Sequence, residues 1–162
     1  MLKSYIEKQR EKKDILLMTH IVMGYPSFDD SYAIVEQMVE AGVDLMELQI
    51  PFSEPMADGP VILKANQKAI DRGSTVEKCF EFATKVARDF PIPFLFMSYT
   101  NILFKYGMDR FARRMADIGL TGAIVPDLPP EEGGDYLSAM AQNDLSPIYI
   151  FSPETSDERL AY

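Results

Sequence analysis

Glu47 and Asp58, two of the three acids within Leu45-Met46-Glu47-Leu48-Gln49-Ile50-Pro51-Phe52-Ser53-Glu54-Pro55-Met56-Ala57-Asp58-Gly59-Pro60, have the residue types and spacing for acid/base chemistry. An apolar strand carries the first, and the loop that follows carries the second. Side chains alternate faces along a strand, so Val43, Leu45, Glu47 and Gln49 share one side and Met46, Leu48 and Ile50 the other. Both sides are largely apolar, the pattern of a strand covered on both faces. An ionised carboxylate on such a strand is costly unless it is paired, hydrogen-bonded or placed at a wet mouth. Glu47, just before the strand ends at Ile50-Pro51, fits the wet mouth. Plainer roles exist for both residues: a Glu at a strand end serves in structural ion pairs, and an Asp before Gly-Pro forms turns.

The rest of the chain must position these acids, and its totals bound how. At 162 residues, 47% of them hydrophobic, it is long enough for one domain with a sizeable core. A net charge of -9 argues against a nucleic-acid or anionic-membrane partner, so an anionic substrate must be held by local donors. The single cysteine, Cys79, forms no intrachain disulfide, and the single histidine, His20, cannot build a histidine-based metal site. No apolar run approaches the roughly 18 residues of a membrane span, and the N-terminus is charged where a signal peptide would be apolar. These features predict a cytoplasmic protein without a structural metal.

Leu2, Tyr5, Ile6 and Gln9 predict an amphipathic helix within residues 1–13 that covers one end of the core. Residues 14–23 read as a first buried strand, ended by Gly24-Tyr25-Pro26. Ser27 is placed to cap the next helix, with Asp29 and Asp30 in its first turn, Tyr32, Val35, Met38 and Val39 as its buried stripe and Gly42 at its end. Residues 43–50 form the second strand. A loop of about ten residues follows it, longer than the usual 2–6 of a strand-to-helix connection. Ser74-Thr75-Val76-Glu77 matches a capping box for a helix whose face carries Val76, Phe80, Ala83 and Ala87.

Further on, residues 91–98 make a third strand, 107–118 a helix stopped by Gly119, and 120–125 a fourth strand. Pro129-Pro130-Glu131-Glu132 opens another helix, 145–151 is a fifth strand, and Thr155-Ser156-Asp157-Glu158 begins a last helix. Ala41-Gly42-Val43-Asp44 and Ile118-Gly119-Leu120-Thr121 resemble each other as helix-to-strand junctions. Strands alternating with helices demand a parallel sheet with right-handed crossovers. Length favours a five-stranded doubly wound sheet, since a closed (β/α)8 TIM barrel needs about 250 residues.

Four stretches favour the barrel. Gly24-Tyr25-Pro26-Ser27; Glu47-Leu48 with Ile50-Pro51-Phe52-Ser53-Glu54-Pro55 and Ala57-Asp58-Gly59-Pro60; Met97-Ser98-Tyr99-Thr100-Asn101 with Tyr106-Gly107; and Val125-Pro126-Asp127-Leu128-Pro129-Pro130-Glu131-Glu132 together resemble the tryptophan synthase alpha subunit family. The resemblance implies a single domain over residues 1–162, the first five or so strand-helix units of a phosphate-binding TIM barrel. It implies a lyase of tryptophan biosynthesis that splits indole-3-glycerol phosphate into indole and glyceraldehyde 3-phosphate without cofactor or metal. Glu47 matches the family's acid/base, and Asp58 the carboxylate that accepts the indole N–H. Tyr99, Met97, Ile124 and Ile150 match positions around the indole pocket, although plain core packing would also account for them. Pro51, Phe52, Ser53, Glu54 and Asn101 match surfaces that meet a beta subunit in the family's heterotetramer.

The chain also departs from the family pattern. Gln49 stands where glycine is usual after Glu-Leu and adds bulk and hydrogen-bonding groups on the side of Glu47. His20 replaces an aromatic or apolar wall residue, either as simple packing or as a titrating group near the site. The family's phosphate cradle and lid lie in the second half of its barrel, and no glycine-rich loop within residues 1–162 replaces them. The expectation is a chain that carries the catalytic carboxylates without the substrate's anchor. Two rival readings follow: a non-catalytic barrel fragment that binds a beta subunit or self-associates, and a barrel enzyme whose substrate Gln49 and His20 have changed.

Overall fold

A computed structural model describes residues 2–161. Met1, which falls in the predicted first helix, and Tyr162 lie outside the described residues. Strands β1 (Met18–Val22), β2 (Leu45–Gln49), β3 (Phe94–Met97), β4 (Gly122–Ile124) and β5 (Ser146–Ile148) form one parallel sheet in the order β1-β2-β3-β4-β5. A doubly wound sheet reverses direction part-way and covers both faces with helices. Strictly sequential order keeps every right-handed crossover on one face, the arrangement of a TIM barrel. The sheet is therefore barrel-type, and the length argument for a doubly wound sheet is overturned.

The helices are α1 (Leu2–Arg10), α2 (Phe28–Glu40), α3 (Pro60–Asp71), α4 (Val76–Asp89), α5 (Thr100–Tyr106), α6 (Met108–Asp117), α7 (Gly134–Gln142) and α8 (Asp157–Ala161). Outward-facing Met46, Leu48, Phe96 and Ala123 pack with Val35, Phe80, Phe111 and Ala139 of the helices in the main core. On the other side, Leu2 of α1 plugs the lower end of the sheet against Leu45 and Leu95, as its amphipathic pattern predicts. Val43 is an exception to the expected alternation. It precedes β2 and packs with the helices, not on the side of Glu47.

Ser27 caps α2 by accepting a hydrogen bond from the Asp30 N–H, as expected. The resemblance between the two helix-to-strand junctions has a physical basis. Gly42 and Gly119, at φ +89° and +84°, each donate back to the helix, to Val39 and Ala116. The next residues, Val43 and Leu120, donate to Met38 and Met115. This pair of bonds closes a helix with a left-handed residue, where glycine has no Cβ to strain.

Several expectations need correction. The ten-residue loop leads into α3, with Pro60 at its first turn, a helix the sequence reading leaves out. Helix α5 is likewise additional. Thr75, not Ser74, caps α4, accepting from the Lys78 N–H, while Glu77 pairs with Arg114. Pro130–Glu132 forms only a 3-10 turn, and α7 starts afresh at Gly134.

Candidate active site

The parallel register places the site. His20 of β1 lies beside Glu47 of β2, which lies beside Leu95 of β3. One layer nearer the strand ends, Val22, Gln49, Met97, Ile124 and Ile148 form a row. Side chains of His20, Glu47, Gln49, Met97, Ile124 and Ile150 line a cavity of ≈ 590 Å³, and Asp58 enters the same cavity from the loop after β2. The alternation of one strand and the loop beyond it thus bring both acids to one space.

Glu47 is largely buried, with 15% of its side chain exposed. Burial pushes its carboxyl above the ordinary value of 4.5; His20 works against that shift and the charge of Asp58 adds to it. An acid in this state exchanges a proton nearer to neutral pH than an exposed one, which suits a group that must donate and accept in turn. His20 Nε2 lies 4.0 Å from Glu47 Oε1, too far for a hydrogen bond.

Asp58 is held by amides. Gln49 Nε2 donates to its Oδ2 at 2.7 Å, and Asn66 Nδ2 donates to the same oxygen at 3.2 Å. Asn66, fully buried on α3, also accepts from the Phe52 N–H at 3.0 Å and donates to the Ile62 carbonyl at 3.0 Å. It therefore ties the loop between β2 and α3 to the helix that follows. The sequence reading misses Asn66. Its signal was a polar residue on the apolar stripe of Ile62, Ala65 and Ala69.

The remaining predicted residues divide. Tyr99 does not line the cavity. It is buried behind the wall with Met97 and Ile124, stacks on Phe52 at 5.0 Å, and its hydroxyl accepts from the Ala57 N–H at 3.1 Å. Burial raises its hydroxyl pKa; the Ala57 N–H opposes this and Asp58 reinforces it. Ile150 is no core residue: it stands at the cavity rim, 67% exposed. Pro51, Phe52, Ser53 and Asn101 converge on a separate, mostly apolar groove of ≈ 610 Å³, which Glu54 does not line. This groove contains neither Glu47 nor Asp58, both of which face the cavity of ≈ 590 Å³. Cys79 is sealed in the core, where burial pushes its thiol up to about 12, and is inert. Among the described residues no group of three His, Cys, Asp or Glu side chains is placed to hold a metal ion, and no helix is long and apolar enough to cross a membrane.

The family profile described as tryptophan synthase alpha chain matches residues 6–162. The chain belongs to the tryptophan synthase alpha chain family. The tryptophan synthase alpha chain of Desulforapulum autotrophicum is 69% identical over 162 residues, covering 100% of this chain and 64% of the relative. That of Syntrophotalea carbinolica is 64% identical over 160 residues, covering 99% of this chain and 63% of the relative. Among solved structures, tryptophan synthase from Mycobacterium tuberculosis superposes with a TM-score of 0.94 at 32% identity, covering 99% of this chain and 64% of that one. Tryptophan synthase subunit alpha from Legionella pneumophila gives 0.93 at 32% identity, covering 99% of this chain and 62% of that one. The chain thus spans somewhat under two thirds of the length of the family members it matches, over the first five strand-helix units of their TIM barrel.

Proposed function

We propose that this chain contributes the acid/base half of an alpha-chain lyase site, cleaving indole-3-glycerol phosphate to indole and glyceraldehyde 3-phosphate. Residues 1–162 then act as one domain, the N-terminal part of the barrel. The observation that carries the reading is the shared cavity: Glu47, with its raised carboxyl, and the amide-held Asp58 face one space walled by Met97 and Ile124. Family membership supports the substrate.

The retro-aldol cleavage needs a proton delivered to C3 of the indole, which leaves positive charge at the ring nitrogen. The glycerol hydroxyl next to the breaking bond then loses its proton, its C–O becomes C=O, and the C–C electron pair returns to the ring. Glu47 donates the first proton and takes up the second, so no net proton is consumed. Asp58 accepts the ring N–H and stabilises the charge that builds there, with little reorganisation because Gln49 and Asn66 already hold it. The apolar side chains of Met97 and Ile124 beside it lower the local dielectric and strengthen that electrostatic contact.

The same proposal includes a beta-subunit partner at the groove of Pro51, Phe52, Ser53 and Asn101, with Glu54 at its edge, and a cytoplasmic location. A chimaera tests the chemistry. Residues 1–162 replace the matching stretch of the Desulforapulum relative, and indole release from indole-3-glycerol phosphate is measured. Turnover is expected, and Glu47→Gln should lower it by about 10²- to 10⁴-fold. A folded chimaera with no turnover, or one indifferent to Glu47→Gln, rejects the assignment.

A further inference from the structure

The hydrogen bonds around Gln49 fix one another's direction. Phe52 contributes a backbone N–H, which only donates, so the atom of Asn66 facing it at 3.0 Å is the carbonyl Oδ1. Ile62 contributes a carbonyl, which only accepts, so Nδ2 faces it. Two backbone groups therefore set the Asn66 amide with no freedom to flip. Gln49 meets Asn66 Oδ1 at 3.4 Å and Asp58 Oδ2 at 2.7 Å. Both are acceptors, so Nε2 of Gln49 must face them and Oε1 must face away.

Oε1 of Gln49 lies 2.7 Å from Nε2 of His20. An amide oxygen cannot donate, so the histidine nitrogen carries the hydrogen. Neutral His20 is then protonated at Nε2, with its lone pair on Nδ1. The same Nε2 lies 4.0 Å from Glu47 Oε1, so its proton is committed to Gln49 and Glu47 is left unclamped for proton transfer. Gln49 and Asn66 are both fully buried, which shields their amide groups, whereas the His20 side chain is partly exposed to the cavity.

We propose that Gln49 is a positioning residue that passes the orientation of the loop at Phe52, through Asn66, to Asp58 and to His20, so that the cavity presents Asp58 as an acceptor and His20 protonated at Nε2. A hydrocarbon of equal volume at position 49 would fill the same space and transmit nothing. The benefit to a ligand ring N–H at Asp58 rests on the function proposed above; the chain of bonds itself does not.

His20 is the sole histidine, so its ring nitrogens give an unambiguous nitrogen-15 spectrum of the 162-residue chain. At a pH where the imidazole is neutral, Nε2 is expected to show a directly bonded, slowly exchanging proton and Nδ1 the shift of a bare ring nitrogen. Gln49→Leu should speed that exchange by about tenfold, the scale of one lost hydrogen bond, and Asn66→Leu should speed it without touching His20. A merely space-filling Gln49 would leave both signatures unmoved. Indole titrated into the same samples should bind the unaltered chain and bind Gln49→Leu about tenfold more weakly. A bare Nε2 in the unaltered chain overturns the proposal without recourse to any variant, as does a protected proton that survives Gln49→Leu; either leaves the lyase reading standing. A protected Nε2 proton that Gln49→Leu releases, in a chain blind to indole, upholds the bond chain and counts against the lyase reading.

Discussion

Gln49 Nε2 lies 2.7 Å from Oδ2 of Asp58, joining the end of β2 to a loop residue across the mouth of the sheet. The bond makes the strand and its loop a single acidic site in place of two independent carboxylates. It also explains why that loop holds its course, since Asn66 gathers Asp58, Gln49 and the Phe52 N–H at one buried point.

Removing that point should cost stability directly. Asn66→Ala leaves the Phe52 N–H without its partner and strips an amide donor from Asp58. An orphaned donor of this kind costs about 1–3 kcal/mol, to be read from urea unfolding midpoints at constant slope. A change under about 0.5 kcal/mol would mean that water takes the place of the amide.

Burial of Glu47 carries a stability cost that depends on pH. Its carboxyl binds its proton more tightly in the folded chain than at the ordinary value of 4.5, chiefly because it is buried. Between those two values the folded state holds more protons than the unfolded one, so stability falls as pH rises through that window. Glu47→Gln cannot ionise and escapes the fall. The variant should be more stable than the parent at neutral pH, and the two melting temperatures should converge below pH 4.5. Equal stability at neutral pH would show that Glu47 bears no burial cost.

Tyr99 steadies the loop from behind. Tyr99→Phe keeps the stack on Phe52 but removes the hydroxyl that accepts the Ala57 N–H. The expected loss is about 0.5–1.5 kcal/mol, with faster hydrogen exchange at the Ala57 amide than at the core strands. Unchanged exchange at Ala57 would rule out this anchoring.

The strands were legible because their apolar runs are short and bounded by glycine or proline, and α2 because Ser27 and Gly42 mark both of its ends. Glu47 was legible from its place near a strand end. Helix α3 was not: its buried stripe is built from Ala65, Asn66 and Ala69, small or polar residues that carry little hydrophobic signal. The cap of α4 slipped by one residue because Ser74 and Thr75 both offer a hydroxyl, and the choice is tertiary. Glu77 is drawn to Arg114, a residue on α6, and does not close the box on Ser74. The links from Asn66 to Phe52 and Asp58 cross a loop, and local spacing carries no trace of such contacts.

The helix exits offer a final test. Helix α7 ends as α2 and α6 do: Asp144 donates to Ala141 and Leu145 to Met140, the same two bonds that Gly42 and Gly119 initiate elsewhere. At this exit, however, the left-handed position, φ 53°, is filled by an aspartate. A side chain there meets its own backbone, and aspartate tolerates the conformation only in part. Asp144→Gly removes that strain, although it also frees the unfolded chain, which offsets part of the gain. The net should be a stabilisation of about 0.5–1 kcal/mol, seen as a raised melting temperature. The reverse change, Gly119→Asp, installs the same conflict at φ 84° and should destabilise by a similar amount. If Asp144→Gly lowers the melting temperature, contacts of the Asp144 carboxylate outweigh its backbone strain; if Gly119→Asp leaves the melting temperature unchanged, the left-handed geometry of the exits does not govern their stability.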